Sequence, residues 1–361
     1  MEASELLRLL VEMGASDLHC KVGSPPFYRV DGELRPADFP PLTSRDTESI
    51  AADLLPMRKS DGFAETAEAD FGYSLAGVGR FRINVFRQRG VVGLAIRRVR
   101  SEIPSFDELR LPPVVRSLAD LHRGLVLITG PAGTGKTTTI ASMIGHINTT
   151  RRAHIVTVED PIEVVHEDVL SIIDQREVGI DTMSFGAALR HVVRQDPDVI
   201  FIGEIRDPES AATAIQAAET GHLVISTLHT VDATETVNRI IDLFPPEQHR
   251  QVRVAFAASL RGVVSQRLVS RADGRGRVPA VEVLVATGRV QERIMEPTTT
   301  IEIADVMAEG EFYGMQTFDQ ALVRLVLEEL VTEADAREAA SNPHDFTLVL
   351  KGARYRAPAS A

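Results

Sequence analysis

Gly130, Gly135, Lys136 and Thr137 fit the order G-x-x-x-x-G-K-T inside the stretch LVLITGPAGTGKTTTIASMIG at 125–145. No other feature restricts the fold as strongly. The pattern acts as a phosphate-binding loop only between a buried strand and a helix. The sequence supplies both: GLVLITG reads as a buried strand, and TTTIASMIGHI carries a helical apolar pattern. Glycines let the loop curl so that successive N–H groups face phosphate oxygens. The helix start adds its positive dipole end. The loop Gly130, Pro131, Ala132, Gly133, Thr134, Gly135, Lys136, Thr137 and Thr138 is therefore expected to hold ATP. Lys136 would reach the β- and γ-phosphates, and the Thr137 hydroxyl would hold Mg²⁺.

Around this loop, strand and helix patterns alternate. GLVLITG, AHIVTVED, DVIFIGEI and HLVISTLH read as strands, with SFGAALRHVVRQ and PESAATAIQAAET as helices between them. The second helix is well punctuated, with Asp207 at the N-cap, Pro208 at N1 and Gly221 past its end. Such alternation predicts an α/β domain with a mainly parallel sheet covered on both faces. Ligands in such sheets sit at the carboxyl ends of strands. Those ends carry Glu159, Asp160 and Glu163 in TVEDPIEV, Glu204 in IFIGEIRD, and His229 in ISTLHT. ATP hydrolysis needs a metal, an oriented water and positive charge for the transition state. Glu204 is placed like a second-strand acid holding the metal. Glu163 is a candidate for orienting the water, or else a solvated loop carboxylate. His229 is a candidate γ-phosphate sensor, or else a structural histidine. His19, His146, His191 and His222 lack metal-ligand spacing and read as surface or hydrogen-bonded residues.

Residues 1–100 differ. SELLRLLVEMG reads as a helix ending at Gly14, and DLHCKVGSPPFYRVDGELRP as short strands around turns at 23–26 and Asp31-Gly32. TSRDTESIAADLLP is a helix capped by Thr43 or Ser44, and 69–99 alternates over two or three strands. This predicts an α+β domain at 1–100, a proline-containing linker at 101–112, and the second domain at 113–361 with a helical C-terminal part and a frayed tail KGARYRAPASA. Arg80, Arg82, Arg87, Arg89, Arg97, Arg98 and Arg100 form a run. Alternation places Arg80 and Arg82 on one strand face. They form a solvated face, or some reach a nucleotide held by another subunit.

Bulk properties exclude several classes. The 39 basic and 51 acidic residues give a net charge of −12, unlike the basic footprint of a dedicated DNA-binding protein. Trp is absent, and 14 Phe and 4 Tyr are few for single-strand stacking. No specific nucleic-acid partner is expected. No apolar run approaches roughly 18 residues. The N-terminus lacks a basic n-region, so a signal peptide is not expected. The single cysteine, Cys20, rules out an internal disulfide and a four-cysteine zinc site, and reads as a packed side chain. Together these features predict a cytoplasmic location.

Five further segments carry a family resemblance. They are ASDLH at 15–19 with PPFYRVDGELR at 25–35, TVEDPIEV at 157–164, RQDPDVIFIGEIRD at 194–207, AAETGHLVISTLHTVDA at 217–233 and GMQTFDQAL at 314–322. The chain resembles the type II/IV secretion ATPase superfamily, and within it the pilus retraction ATPases, over nearly its whole length. The resemblance implies a RecA-like P-loop NTPase domain behind a smaller PAS-like domain, assembled as a homohexamer. It implies Glu163 as the catalytic glutamate, Glu204 as the Walker B acid and His229 as the His-box residue. Gly203 stands where many P-loop enzymes carry aspartate, a departure the family shares. Arg82 in FRIN and Arg97 in AIRR match arginines that act on nucleotide from the N-terminal domain. The implied partner is an inner-membrane pilus platform protein, reached at the cytoplasmic face of the inner membrane. Retraction is separated from assembly and type II secretion by the 14 residues ahead of ASDLH and the single cysteine. The chain departs from the retraction pattern where TTTIEIADVMAEGEFYGMQTF stands near the place of an AIRNLIRE-like motif, and the alternatives are an accessory retraction ATPase or a pilus assembly or type II secretion ATPase.

Overall fold

In the computed structural model, residues 2–30, 32–99 and 103–356 are described, which leaves Asp31 and Arg100 outside. The chain divides into two compact units. The first comprises Met1–Glu102, Val158–Glu167 and Gln175–Ala188; the second comprises Ile103–Thr157, Asp168–Asp174 and Leu189–Ala361.

The first unit begins α1 (Ala3–Glu12), β1 (Asp17–Cys20), β2 (Phe27–Val30), β3 (Glu33–Pro36), α2 (Ser44–Leu54) and α3 (Met57–Thr66). Three longer strands follow: β4 (Glu68–Leu75), β5 (Gly79–Gln88) and β6 (Val91–Arg98). Thr43 caps α2 in a full capping box with Asp46, which resolves the choice between Thr43 and Ser44. The six strands form one antiparallel sheet in the order β3-β2-β1-β6-β5-β4. Period-two alternation gives this sheet two unlike faces. Leu18, Tyr28, Ile96, Ile83 and Phe71 lie in register on one face and are buried in a core with Leu6, Leu7 and Leu10 of α1 and Ile50 and Leu54 of α2. The neighbouring register row is charged: Arg29, Asp17, Arg97 and Arg82 stand opposite one another across β2, β1, β6 and β5.

The second unit opens with α4 (Pro113–Ala119), β7 (Gly124–Thr129), α5 (Lys136–Thr150) and β8 (His154–Glu159). It continues through β9 (Ile172–Glu177), α6 (Phe185–Val192), β10 (Val199–Ile202), α7 (Pro208–Glu219), β11 (Leu223–Leu228) and α8 (Ala233–Asp242). The unit boundary cuts the ends of β8 and β9 and passes through α6. After α9 (His249–Ser259) come β12 (Leu260–Ser270) and β13 (Arg277–Val285). Five helices close the chain: α10 (Gly288–Met295), α11 (Ile303–Ala308), α12 (Phe318–Leu327), α13 (Glu333–Ala339) and α14 (Pro343–Arg356). The seven strands run in the order β13-β12-β7-β11-β10-β8-β9. β10, β11, β7 and β12 are parallel neighbours, and β13 joins β12 as an antiparallel edge. Strands covered on both faces read as continuous apolar runs. Leu125, Val126, Leu127 and Ile128 of β7 are accordingly 0% exposed.

Two expectations need correction, and one element was not foreseen. The segment read as a linker is partly core: Phe106 and Leu111 are buried with Val115, Ile140 and Ile144, and the Ser142 hydroxyl donates to Pro104 O at 2.6 Å. Its prolines break helix periodicity without preventing burial. The β12–β13 hairpin adds an antiparallel edge that the strand–helix alternation did not announce. Of the tail read from 351, residues 351–356 continue α14, in which Phe346 and Leu350 bury against Val269, Val278 and Phe318; residues 357–361 lie outside the described residues.

Candidate functional site

β7 runs straight into the glycine loop, and the backbone there needs glycine. Gly130, Gly133 and Gly135 have φ of 140°, 78° and 92°. A Cβ at Gly130 would lie 2.5 Å from Gln266 O and 2.7 Å from Thr134 Oγ1. Lys136 opens α5 and is 9% exposed. Its Nζ donates to Gly130 O at 2.6 Å and Pro131 O at 3.0 Å, which holds the ammonium over the loop. Pro131, Ala132, Gly133 and Thr138 are exposed, and Thr134, Gly135 and Thr137 are half-buried. The loop therefore opens to solvent with its lysine folded across it. The glycine conformations and the Lys136 position fit a nucleoside triphosphate, and the Thr137 hydroxyl suits a hard cation such as Mg²⁺.

A cleft of about 230 Å³ adjoins the loop and is lined by Leu111, Gly135, Thr138, Leu268, Arg271 and Arg277, among others. Its apolar walls and three arginines, Arg110 included, suit a base with its sugar. The sequence reading found Gly135 and Thr138 but not Leu111, Leu268, Arg271 and Arg277, which come from the supposed linker and the unforeseen hairpin.

Strand register assembles the next group. Thr129 pairs with Leu228, and Ile202 with Ser226, so β7, β11 and β10 end on the same side. Gly130 and His229 follow directly after these ends, and Glu204 follows after Gly203. The turn after β10 is fixed from β11: Thr227 Oγ1 donates to Gly203 O at 2.6 Å, and Ile205 N donates to Thr227 O at 3.1 Å. Glu204 has a side chain 17% exposed, with Arg206 Nη2 at 2.6 Å and His229 Nε2 at 3.3 Å. His229 itself is 53% exposed. Glu204 and His229, read separately from the sequence, thus form one cluster. His146 contacts Asp120 at 2.7 Å and His222 contacts Ala217 O at 2.9 Å, while His19 Nε2 is buried without a partner.

The first unit holds the second group. Arg82 and Arg97 face each other across β5 and β6. Like charges in this arrangement repel, and each has an acid beside it. Asp70 takes Arg82 through Nη2 at 2.6 Å and Nε at 3.2 Å, and Asp17 takes Arg97 Nε at 2.8 Å. The Asp70 hydrogen bonds raise the Arg82 guanidinium above its usual range against burial, and the Asp70, Glu163 and Asp160 charges add to that. Burial would raise the Asp17 carboxyl, but the Ser16 hydroxyl and Arg97 hold it below the usual range. Glu163 and Asp160 are exposed in this unit, whereas Glu159 is 6% exposed and accepts from Gln175. Arg80 does not join the solvated face; it is 15% exposed and paired with Glu177.

No helix among the described residues is long and apolar enough to cross a membrane. Comparison with known proteins places the chain. The sequence model of the family described as Type II/IV secretion system protein matches residues 104–342. The type IV pilus retraction ATPase PilT of Pseudomonas aeruginosa is 41% identical over 96% of this chain and 100% of its own length. The type IV pilus ATPase PilU of the same organism is 41% identical over 97% of this chain and 92% of its own. A crystal structure of the pilus retraction motor PilT with bound ADP superposes with a TM-score of 0.88 at 44% identity, covering 96% of this chain and 98% of that one.

Proposed function

The chain belongs to the type II/IV secretion system protein family, and we propose that within it the chain is an ATP-hydrolysing motor for type IV pilus retraction. One observation carries this reading: a retraction motor bound to ADP matches 96% of the chain. ATP is held by the backbone of Gly130–Thr138 with Lys136 at the β- and γ-phosphates. Thr137 and Glu204 are the groups that would hold Mg²⁺, which when bound neutralises the phosphate charge during transfer. Glu163 orients the attacking water. His229, beside Glu204, responds to the γ-phosphate. Arg82 and Arg97 supply positive charge to the nucleotide of a neighbouring subunit, and the working form is the homohexamer that the family resemblance implies. It acts at the cytoplasmic face of the inner membrane, through a pilus platform protein.

Deletion of the gene tests the direction of the motor. Cells should keep surface pili, with twitching or DNA uptake reduced; bald cells would point to assembly. A second reading is an accessory retraction ATPase, favoured by the equal identity to PilU. Expressing the chain alone in cells stripped of both retraction ATPases separates the two. A motor restores retraction alone, and an accessory enzyme requires its companion.

A further inference from the structure

Glu163 is exposed, yet the backbone around it is held. Pro161, Ile162 and His166 are buried. Two alternate residues at the end of β9 fix this loop. Glu177 Oε2 accepts from Ile162 N at 3.2 Å, on one side of Glu163. Gln175 Nε2 donates to Val164 O at 2.8 Å, and its Oε1 accepts from His166 N at 2.9 Å, on the other. Glu177 is 1% exposed and also accepts from Gly72 N at 2.8 Å and from Arg80. Arg80 sits two residues from Arg82 on β5, and a Cβ at Gly72 would overlap both Arg80 and Glu177. The buried carboxylate thus ties together the loop bearing Glu163 and the strand bearing Arg82.

Burying an arginine–carboxylate pair is expensive, and such a pair is weak evidence for stability alone. Here it joins two groups that act on phosphate, while Glu163 and Arg82 are left exposed. We propose that Glu177, held by Arg80 and assisted by Gln175, is a positioning residue for hydrolysis: it fixes Glu163 at a set place beside Arg82. The inference rests on Glu163 orienting water. Nucleotide affinity comes from the glycine loop and does not depend on the pair.

Glu177→Gln should lower kcat by about tenfold to a hundredfold, the scale of a roughly 1 Å misplacement, with KM for ATP changed less than about twofold. Because Glu177 acts through Glu163, its substitution should cost nothing further in a Glu163→Gln background. The double variant Arg80→Met with Glu177→Met removes both buried charges and should recover thermal stability. Its kcat should stay low, because nothing accepts from Ile162 N. Gln175→Ala, which leaves the ion pair intact, should lower kcat in the same sense and keeps the test open if Glu177→Gln fails to fold. Three results would overturn the inference: multiplicative losses in the Glu163→Gln background, wild-type kcat in the double methionine variant, or unchanged kcat in Gln175→Ala together with Glu177→Gln. Near-normal turnover by Glu163→Gln alone would instead remove the premise.

Discussion

Glu282 lies in β13, 5% exposed, with its Oε1 accepting from Ala233 N at 2.8 Å. Ala233 starts α8, four residues after His229. Burial raises this carboxyl to about 7, against hydrogen bonds from the Ala233 and Phe318 backbone and the charge of Arg267, and the Asp232 charge adds to the rise. The folded value lies above the reference of 4.5. The contribution is therefore fully present below about pH 4.5 and is lost as pH rises through about 7. A difference of about 2.5 at 1.36 kcal/mol per pH unit gives roughly 3 kcal/mol. Gln imitates the protonated acid. Glu282→Gln should match the wild type at pH 4.5 and exceed it above pH 7.5 by up to about 3 kcal/mol. That corresponds to roughly 6–12 °C in Tm for a unit of this size. Thermal unfolding of both proteins across pH 4.5–8, with the difference plotted against pH, isolates the carboxyl from other titrating groups. Parallel curves would show that Glu282 ionises in the native protein as it does in the unfolded chain, and the burial argument would be wrong.

Lys136→Ala should abolish turnover and weaken ATP binding, whereas Glu163→Gln should bind ATP and turn over about 10²–10⁴-fold more slowly; nucleotide-binding titration beside steady-state ATPase assays distinguishes them. Gly130→Ala should lose nucleotide binding, because the substituted residue meets both φ of 140° and the Gln266 carbonyl; normal ATP affinity would contradict the loop geometry. Cys20 is 2% exposed with its thiol pushed up to about 12 by burial, so it should resist alkylation until denaturant is added; mass spectrometry before and after unfolding measures this.

What the sequence disclosed tracks the range over which each signal acts. The glycine loop, the Asp207 cap and the apolar strands of the parallel sheet are local patterns, and all were legible. Glu204 and His229 were legible as strand-end residues because an α/β sheet gathers its strand ends. The hairpin β12–β13 was not, since two strands joined by a short turn depart from the strand–helix alternation that guided the reading. Phe106 and Leu111 were hidden by neighbouring prolines, which mark where a helix stops and say nothing about burial. Gln175 and Glu177 were invisible because their partners are backbone groups and side chains distant in sequence, such as Arg80, which leave no mark in side-chain spacing.

The arginines show the same limit in charge. A net charge of −12 describes the whole chain, but it does not describe the row Arg29, Asp17, Arg97 and Arg82. Asp17 lies 80 residues from Arg97, and Asp70 lies 12 from Arg82. No count of charges pairs them. With Arg82 42% exposed and Asp70 40% exposed, their bond is a surface ion pair, of a kind usually worth under about 1 kcal/mol. A phosphate, with more charge and more acceptor oxygens than a carboxylate, can compete for such an arginine at little cost. Asp70 and Asp17 therefore keep two facing cations from repelling each other while leaving both available. Arg80, two residues away, is buried on Glu177 and has no such freedom. On β5 alone, Arg80 is thus a fixed support while Arg82 stays within reach of solvent, and burial separates the two.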